Sequence, residues 1–111
     1  MDVIREQHTD KTEIGPGRTR YLAHTDQLMM VVIDFTDGPT DRPDPPHTHP
    51  HEQVSYVARG RLLVHIGDQV SELGPGDVFT VAPNVPHTVQ LLSPQVRLVD
   101  TFTPLRDEFI S

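Results

Sequence analysis

Proline and glycine interrupt this chain at short intervals, and that spacing limits what it can fold into. The 111 residues include 11 prolines and 7 glycines, which disfavour helices and are typical of turns between short strands. The apolar segments between these turns recur at intervals of about 8–12 residues, and none shows a helical period. The sequence therefore predicts an all-β domain, either a sandwich or a barrel.

The chain is short enough for one domain. Residues 1–16 are polar and run into Gly15-Pro16-Gly17, so we expect an N-terminal arm there and a single β domain over residues 17–111. Residues 104–110 are expected to be irregular or to form one helical turn. Strands are predicted at residues 28–35, 54–58, 61–66, 70–73, 78–81, 87–92 and 96–103.

Composition excludes several functions. The net charge is −7 without any basic run, so nucleic acid and anionic membrane are poor candidates for partners. No segment has the apolar length of a signal peptide or a membrane span, so we expect a cytoplasmic protein. Only 35% of residues are hydrophobic and Trp is absent, so burial between two copies would add stability. We therefore expect a homodimer.

Three histidines lie close together, at His47, His49 and His51, and a fourth, His87, follows the Pro83–Pro86 loop. Side chains two apart on an extended chain share a face, so the rings of His47 and His49 can converge on one ion. Neutral imidazole is a common ligand for divalent transition metals. The chain has no cysteine, so the remaining ligand must come from His, Gln, Asp or Glu. By position it is His51, Glu52 or Gln53.

This arrangement resembles the cupin superfamily, whose first motif is G-x5-H-x-H-x3,4-E-x6-G and whose second is G-x5-P-x-G-x2-H-x3-N. Spacing from His49 and from Gly60 both place Gln53 where the family usually has Glu. The spacing from Gly76 to His87 fits the second motif. The resemblance implies a single-domain cupin barrel (a double-stranded β-helix, or jelly roll) with a metal bound by His47, His49, Gln53 and His87.

The sequence departs from the cupin motifs at several places. Gly38 lies farther from His47 than the first motif has it, and Ala82, Asn84 and Leu91 replace the Pro, Gly and Asn of the second. Gln53 brings no charge, so a bound divalent ion would keep its full charge and act as a stronger Lewis acid towards an anionic substrate. Zinc, nickel, iron(II) and manganese all suit these ligands.

Over residues 17–109 the sequence resembles the small cupins called pectin degradation proteins. The similarity is carried by the segments 47–57, 74–77 and 83–87 and by the C-terminal Asp100-Thr-Phe102-Thr-Pro104-Leu-Arg106-Asp-Glu-Phe109. That family linearises 4,5-unsaturated monouronates, so the resemblance implies a small anionic sugar as substrate.

Three residues of the C-terminal segment are the catalytic candidates. Alternation places Asp100 and Phe102 on one face of a strand, where Asp100 can shuttle protons if that face lines an apolar cup. Arg106 can bind the substrate carboxylate in a bidentate manner, and Phe102 would form a wall against the sugar. Structural roles compete with these: Asp100 can cap a turn, and Arg106 can pair with a nearby acid.

Two other functions fit the same motifs. Three-histidine cupins include non-haem metal dioxygenases, and other cupins bind sugars without catalysis. We also expect His65 to be structural, His8 and His24 to lie at the surface, and His51 to pack beside the metal. Tyr56, Met29 and Met30 are expected to line the core or the cavity.

Overall fold

The computed structural model describes residues 2–110, which form nine strands and two single-turn 3₁₀ helices. The helices span Glu6–His8 and Asp107–Phe109. The strands, β1 to β9, are Asp10–Gly15, Arg18–His24, Met29–Phe35, Glu52–Arg59, Leu62–Ile66, Gln69–Leu73, Val78–Val81, His87–Leu91 and Val96–Thr103.

The strands form two antiparallel sheets. The larger has the order β1-β2-β3-β9-β4-β7 and the smaller the order β6-β5-β8. Connections that cross between the two sheets, such as β8 to β9, are typical of a jelly-roll barrel. The predicted all-β class is confirmed, and the predicted strands from residue 28 onward match β3 to β9 within a few residues.

Two strands were not predicted, β1 and β2. Both are rich in charged residues and lie at the edge of the larger sheet, where one face needs little apolar content. β1 lies within the segment that we predicted as an arm, and it pairs with β2 from Asp10–Leu22 to Gly15–Arg18. The last predicted element, a single helical turn near the C-terminus, corresponds to Asp107–Phe109.

The core lies between the two sheets and is built by strict alternation. In β4 the odd-numbered residues Gln53, Ser55 and Val57 point inwards and are buried, whereas Val54 and Tyr56 are exposed. β9 alternates in the same way. The main apolar cluster of this interior includes Phe35, Val57, Leu62, Phe79, Leu91 and Leu98. A second, smaller apolar cluster consists of Leu22, Met29, Val31 and Phe102.

Alternation also corrects one prediction. Met29 is fully buried, as expected, but Met30 and Tyr56 are 48% and 46% exposed. Each follows or precedes an inward residue on its strand, so each must point outwards. Neither lines the core or a cavity. Among the described residues, neither helical turn approaches the length and hydropathy that crossing a bilayer requires.

Candidate active site

His47, His49 and His87 form a cluster in which one ring nitrogen from each lies within 4.8 Å of the others. The backbone sets this distance. An isolated antiparallel bridge joins His47 to His87, with N–H to carbonyl distances of 3.1 and 3.0 Å. His49 and His87 are buried, and His47 is exposed at the mouth of the barrel.

The Pro83–Pro86 loop holds His87 against His49. Asn84 has a φ of 65°, a left-handed conformation that Asn tolerates better than most residues. This is the position where the cupin motif has Gly. The backbone N–H of Asn84 donates to the carbonyl of His49 at 2.8 Å, so this turn fixes the two histidine-bearing segments to each other.

Backbone carbonyls fix the tautomers of the two buried histidines. His49 Nδ1 donates to the carbonyl of His51 at 3.2 Å, and His87 Nδ1 donates to the carbonyl of Val85 at 2.9 Å. In the neutral rings the lone pairs are therefore on Nε2. His87 Nε2 is buried with no hydrogen-bond partner among the described residues. Such an orientation is typical of metal-binding histidines.

The surroundings of all three histidines favour the neutral ring, which is the form that metals require. Burial lowers the pKa of His49 and of His87, and the nearby Arg106 lowers both further. The pKa of His47 is lowered to about 4, because its ring is partly desolvated and the other positive groups of the cluster lie close to it. The lowered pKa values reduce the competition between a proton and a cation for these nitrogens.

Gln53 completes the cluster from strand β4. Its Oε1 lies 2.9 Å from His49 Nε2. When His49 is neutral with its hydrogen on Nδ1, both of these atoms are acceptors, and two acceptors at this distance repel each other unless a cation lies between them. The buried Nε2 of His87, which has no hydrogen-bond partner among the described residues, would also be satisfied by a cation. Three imidazoles and one amide oxygen therefore fit a divalent transition ion.

Asp100 lies beside this cluster on strand β9, where it is only 7% exposed. Its Oδ1 accepts a hydrogen bond of 2.5 Å from the Ser55 hydroxyl. Burial raises the pKa of Asp100 to about 6, against the opposing effects of Ser55 and of the positive charge of Arg106. A carboxyl group with this pKa is populated in both protonation states near neutral pH, as a general acid–base group requires.

Arg106 and Phe102 pack against each other beside the histidine cluster. The guanidinium carbon of Arg106 lies 5.1 Å from the centre of the Phe102 ring and 4.2 Å from that of Phe109. The Phe102 ring meets His49 edge-on at 5.5 Å. Arg106 Nε donates to Glu108 at 2.9 Å, which is the local ion pair that we weighed as a structural role. The bond to Glu108 uses Nε alone and does not involve the two terminal nitrogens of the Arg106 guanidinium.

One cavity of about 330 Å³ connects these groups. Of the seven residues predicted for the site, six line it, and the seventh, His49, contacts the lining residue Gln53. Both the metal candidates and the catalytic candidates therefore converge on one space. The six are His47, Gln53, His87, Asp100, Phe102 and Arg106.

Sequence reasoning missed several residues of the cavity wall. Arg18 and Arg20 reach it from β2 and Phe109 from the C-terminal turn. Arg18 is already paired with Asp37 and Asp44, whereas the guanidinium of Arg20 stacks on Phe109 at 4.1 Å. The alternation of Arg18, Arg20 and Leu22 was the available signal. Ser55, buried beneath Asp100, had no signal of its own.

The remaining polar predictions fall outside the cluster. His51 is buried, and its Nε2 donates to the carbonyl of Leu105 at 3.0 Å, so it holds the C-terminal segment near the cavity. Glu52 is exposed on the outer face of β4, and His8 and His24 are exposed as expected. His65, in hairpin strand β5, is partly buried, and its Nε2 has no partner within residues 2–110.

A jelly-roll barrel with histidines converging inside one end is the arrangement of a cupin. Residues 35–102 match the cupin domain family. The chain is also 34% identical to the pectin degradation protein KdgF of Dickeya dadantii (strain 3937), over 95% of this chain and 94% of that protein. The chain belongs to the cupin family and, within it, to the group of this pectin degradation protein.

Solved structures agree with this assignment. The structure of KdgF from Halomonas sp. superposes with a TM-score of 0.86 at 31% identity, covering 97% of this chain and 99% of that one. An RmlC-like cupin from Shewanella frigidimarina NCIMB 400 superposes with a TM-score of 0.85 at 32% identity, over 98% and 96% of the two chains. Both relatives are matched along nearly their whole length.

Proposed function

We propose that the protein converts 4,5-unsaturated monouronates, the products of pectin and alginate lyases, into linear keto acids. The observation that carries this proposal is the single cavity shared by the histidine cluster, the buried carboxyl of Asp100 and the guanidinium of Arg106. Ring opening of such a sugar needs charge stabilisation, a proton donor and a carboxylate-binding group. The similarity to a pectin degradation protein supports the same reaction.

A divalent transition ion, bound by His47, His49, Gln53 and His87, is part of this proposal. Zinc, nickel, iron(II) and manganese are the candidates. The ion would act as a Lewis acid. It would stabilise the negative charge that develops on the enolate oxygen, next to the substrate carboxylate, as the ring opens. Because Gln53 is neutral, the anionic substrate would provide the negative charge that a Glu at this position would otherwise bring.

Asp100 would move the proton. The substrate is a cyclic hemiacetal, and loss of its hydroxyl proton with cleavage of the bond between the anomeric carbon and the ring oxygen gives an aldehyde and an enolate. Protonation of the enolate at the double-bond carbon that does not carry the oxygen then gives the keto acid. The reaction is an isomerisation and consumes no co-reactant. A carboxyl group with a pKa of about 6 can accept the first proton and deliver the second.

Arg106 and Phe102 would orient the sugar. The terminal nitrogens of Arg106 present two donors in the geometry that a carboxylate accepts. Stacking on Phe102 and Phe109 limits where the guanidinium can point. The net charge of −7 repels a uronate, so this local positive charge and the ion must attract it.

The test is the ultraviolet absorbance of an unsaturated monouronate, whose conjugated double bond is lost on linearisation. Metal-loaded protein should accelerate the decay over the spontaneous rate, equally in air and under anaerobic conditions. An oxygen requirement would indicate the dioxygenase alternative, because ring opening needs no oxygen. Binding of uronates without any decay would indicate a sugar-binding cupin.

A homodimer is the second part of the proposal. Four large apolar residues on the outer face of the larger sheet are about half exposed: Met30, Val54, Tyr56 and Val78. Strand pairing places them in two adjacent rows, since Val54 and Met30 both pair with Thr101, and Tyr56 pairs with Val78. A contiguous apolar face of this kind is typical of an interface, and we assign it to a second copy of this chain.

Two matched variants test the dimer. Val78 and Val70 are 55% and 54% exposed but lie on different sheets. By sedimentation, the wild type should have twice the chain mass, Val78→Asp should be monomeric, and Val70→Asp should remain dimeric. A monomeric wild type, or a dimer that Val70→Asp dissociates and Val78→Asp does not, would overturn this assignment.

A further inference from the structure

Two consecutive hydrogen bonds join Gln53, a member of the metal-binding cluster, to Asp100 through Ser55, a residue with no assigned role. Gln53 Oε1 lies 2.9 Å from His49 Nε2, and Gln53 Nε2 donates to the Ser55 hydroxyl at 2.9 Å. The Ser55 hydroxyl in turn donates to Asp100 Oδ1 at 2.5 Å. Ser55 has no exposed surface, so both bonds are shielded from bulk water.

The direction of these bonds is determined by the number of hydrogens. A serine hydroxyl carries one hydrogen and can accept from other donors. Because the amide of Gln53 donates to Ser55, the single hydrogen of Ser55 remains for Asp100. Asp100 Oδ1 must then accept, so a proton on this carboxyl group is carried by Oδ2. The same bonds keep the amide oxygen of Gln53 turned towards the histidines.

We propose that Ser55 is a positioning residue, which orients the oxygen of Gln53 towards a bound cation and reserves Asp100 Oδ2 for proton transfer with the substrate. Its kinetic consequence rests on the proposed function, whereas its consequence for metal binding does not. Strand register supports the assignment, because Ser55 pairs directly with Asp100 across β4 and β9, so the short bond is fixed by the sheet.

This line of bonds also gives a physical reason for Gln rather than Glu at position 53. A carboxylate there has no hydrogen to donate, so the Ser55 hydroxyl would have two anionic acceptors and one hydrogen. Either the new carboxylate or that of Asp100 would then lose its bond in a buried site. An amide at this position satisfies all three residues at once.

The first experiment compares Ser55→Ala with two other variants. Zn²⁺ affinity is measured by competition with a chelator, and kcat and KM are measured on an unsaturated monouronate at saturating Zn²⁺. Loss of an outer hydrogen bond to a metal ligand typically costs ten- to a hundredfold in affinity or activity. For Ser55→Ala we expect about tenfold weaker Zn²⁺ binding and a ten- to hundredfold lower kcat, with little change in KM.

Ser93→Ala is the matched control. The Ser93 hydroxyl also makes two hydrogen bonds, to the N–H of Arg61 and the carbonyl of Gln95, in a turn that does not line the cavity. The Ser93→Ala variant should keep the wild-type Zn²⁺ affinity and the wild-type kcat. Ser55→Thr retains the hydroxyl and should restore both quantities towards wild type. A wild-type Zn²⁺ affinity or a wild-type kcat in Ser55→Ala overturns the proposal.

Gln53→Glu separates the two effects of Ser55. A carboxylate can still bind Zn²⁺, so affinity should be unchanged or higher, while kcat should fall at least tenfold because Ser55 no longer serves Asp100 alone. A wild-type kcat in this variant overturns the directional argument. If the wild-type protein has no activity on uronates, the proposed function fails, and the Zn²⁺ affinity of Ser55→Ala still decides whether Ser55 orients Gln53.

Discussion

Replacing Asp100 with asparagine should make the folded protein gain stability relative to the wild type as pH rises from about 4 to neutrality. The carboxyl group of Asp100 has a pKa of about 6 in the fold against an ordinary value of 3.8. Because the folded pKa is the higher, burial of this group costs nothing below about pH 4; the cost grows between about pH 4 and about pH 6 and is constant at higher pH. Two pKa units correspond to about 3 kcal/mol. The asparagine side chain of the variant does not titrate, and its carbonyl oxygen can still accept from Ser55.

The assay is urea unfolding of chelator-treated wild type and Asp100→Asn between about pH 4 and about pH 8. The free energy of unfolding of the variant minus that of the wild type should increase by about 2–3 kcal/mol over this range. Any constant cost of the new amide cancels in this change. Turnover should fall by about two orders of magnitude at the same time. A pH-independent difference would refute the assignment of a raised pKa to Asp100.

Three further outcomes follow from the site. His49→Ala should lose the metal and all activity, whereas His24→Ala, at an exposed position, should keep both, as metal analysis after dialysis will show. Arg106→Lys should lower kcat/KM about ten- to a hundredfold, because the ammonium cannot bind a carboxylate through two parallel bonds. The cluster histidines have lowered pKa values, so the unfolded chain binds more protons than the fold at mildly acidic pH. The raised pKa of Asp100 has the opposite effect on stability, so the test uses the Asp100→Asn variant, in which this group does not titrate. The metal-free variant should lose stability as pH falls from about 6.5 towards about 4. Urea midpoints of unfolding that do not change over this range would contradict this expectation.

Much of the site could be predicted because its geometry is local. His47 and His49 are two residues apart, and Gln53 lies at the start of the strand that follows. The alternation of β9 places Asp100 and Phe102 on the inner face whatever the strand pairs with. These short-range rules and the turn residues before His87 were enough to predict that the side chains would meet.

The parts that were missed depend on long-range pairing. Ser55 reaches Asp100 only because β4 and β9 pair in one particular register, which spacing along the chain does not specify. Arg20 lines the cavity because β2 pairs with β3 in the larger sheet, and the β2 segment has too few apolar residues to indicate a strand. Met30 and Tyr56 were predicted inwards because apolar content was weighed more heavily than alternation.

The most direct test of the account is the coordination of a bound metal. X-ray absorption of the nickel- or zinc-loaded protein should show one ion per chain with three imidazole nitrogens and one further protein oxygen at about 2.0–2.2 Å. Gln53→Ala should remove that oxygen and leave the three imidazoles. An ion bound without all three histidines, or a spectrum that Gln53→Ala leaves unchanged, would contradict the account.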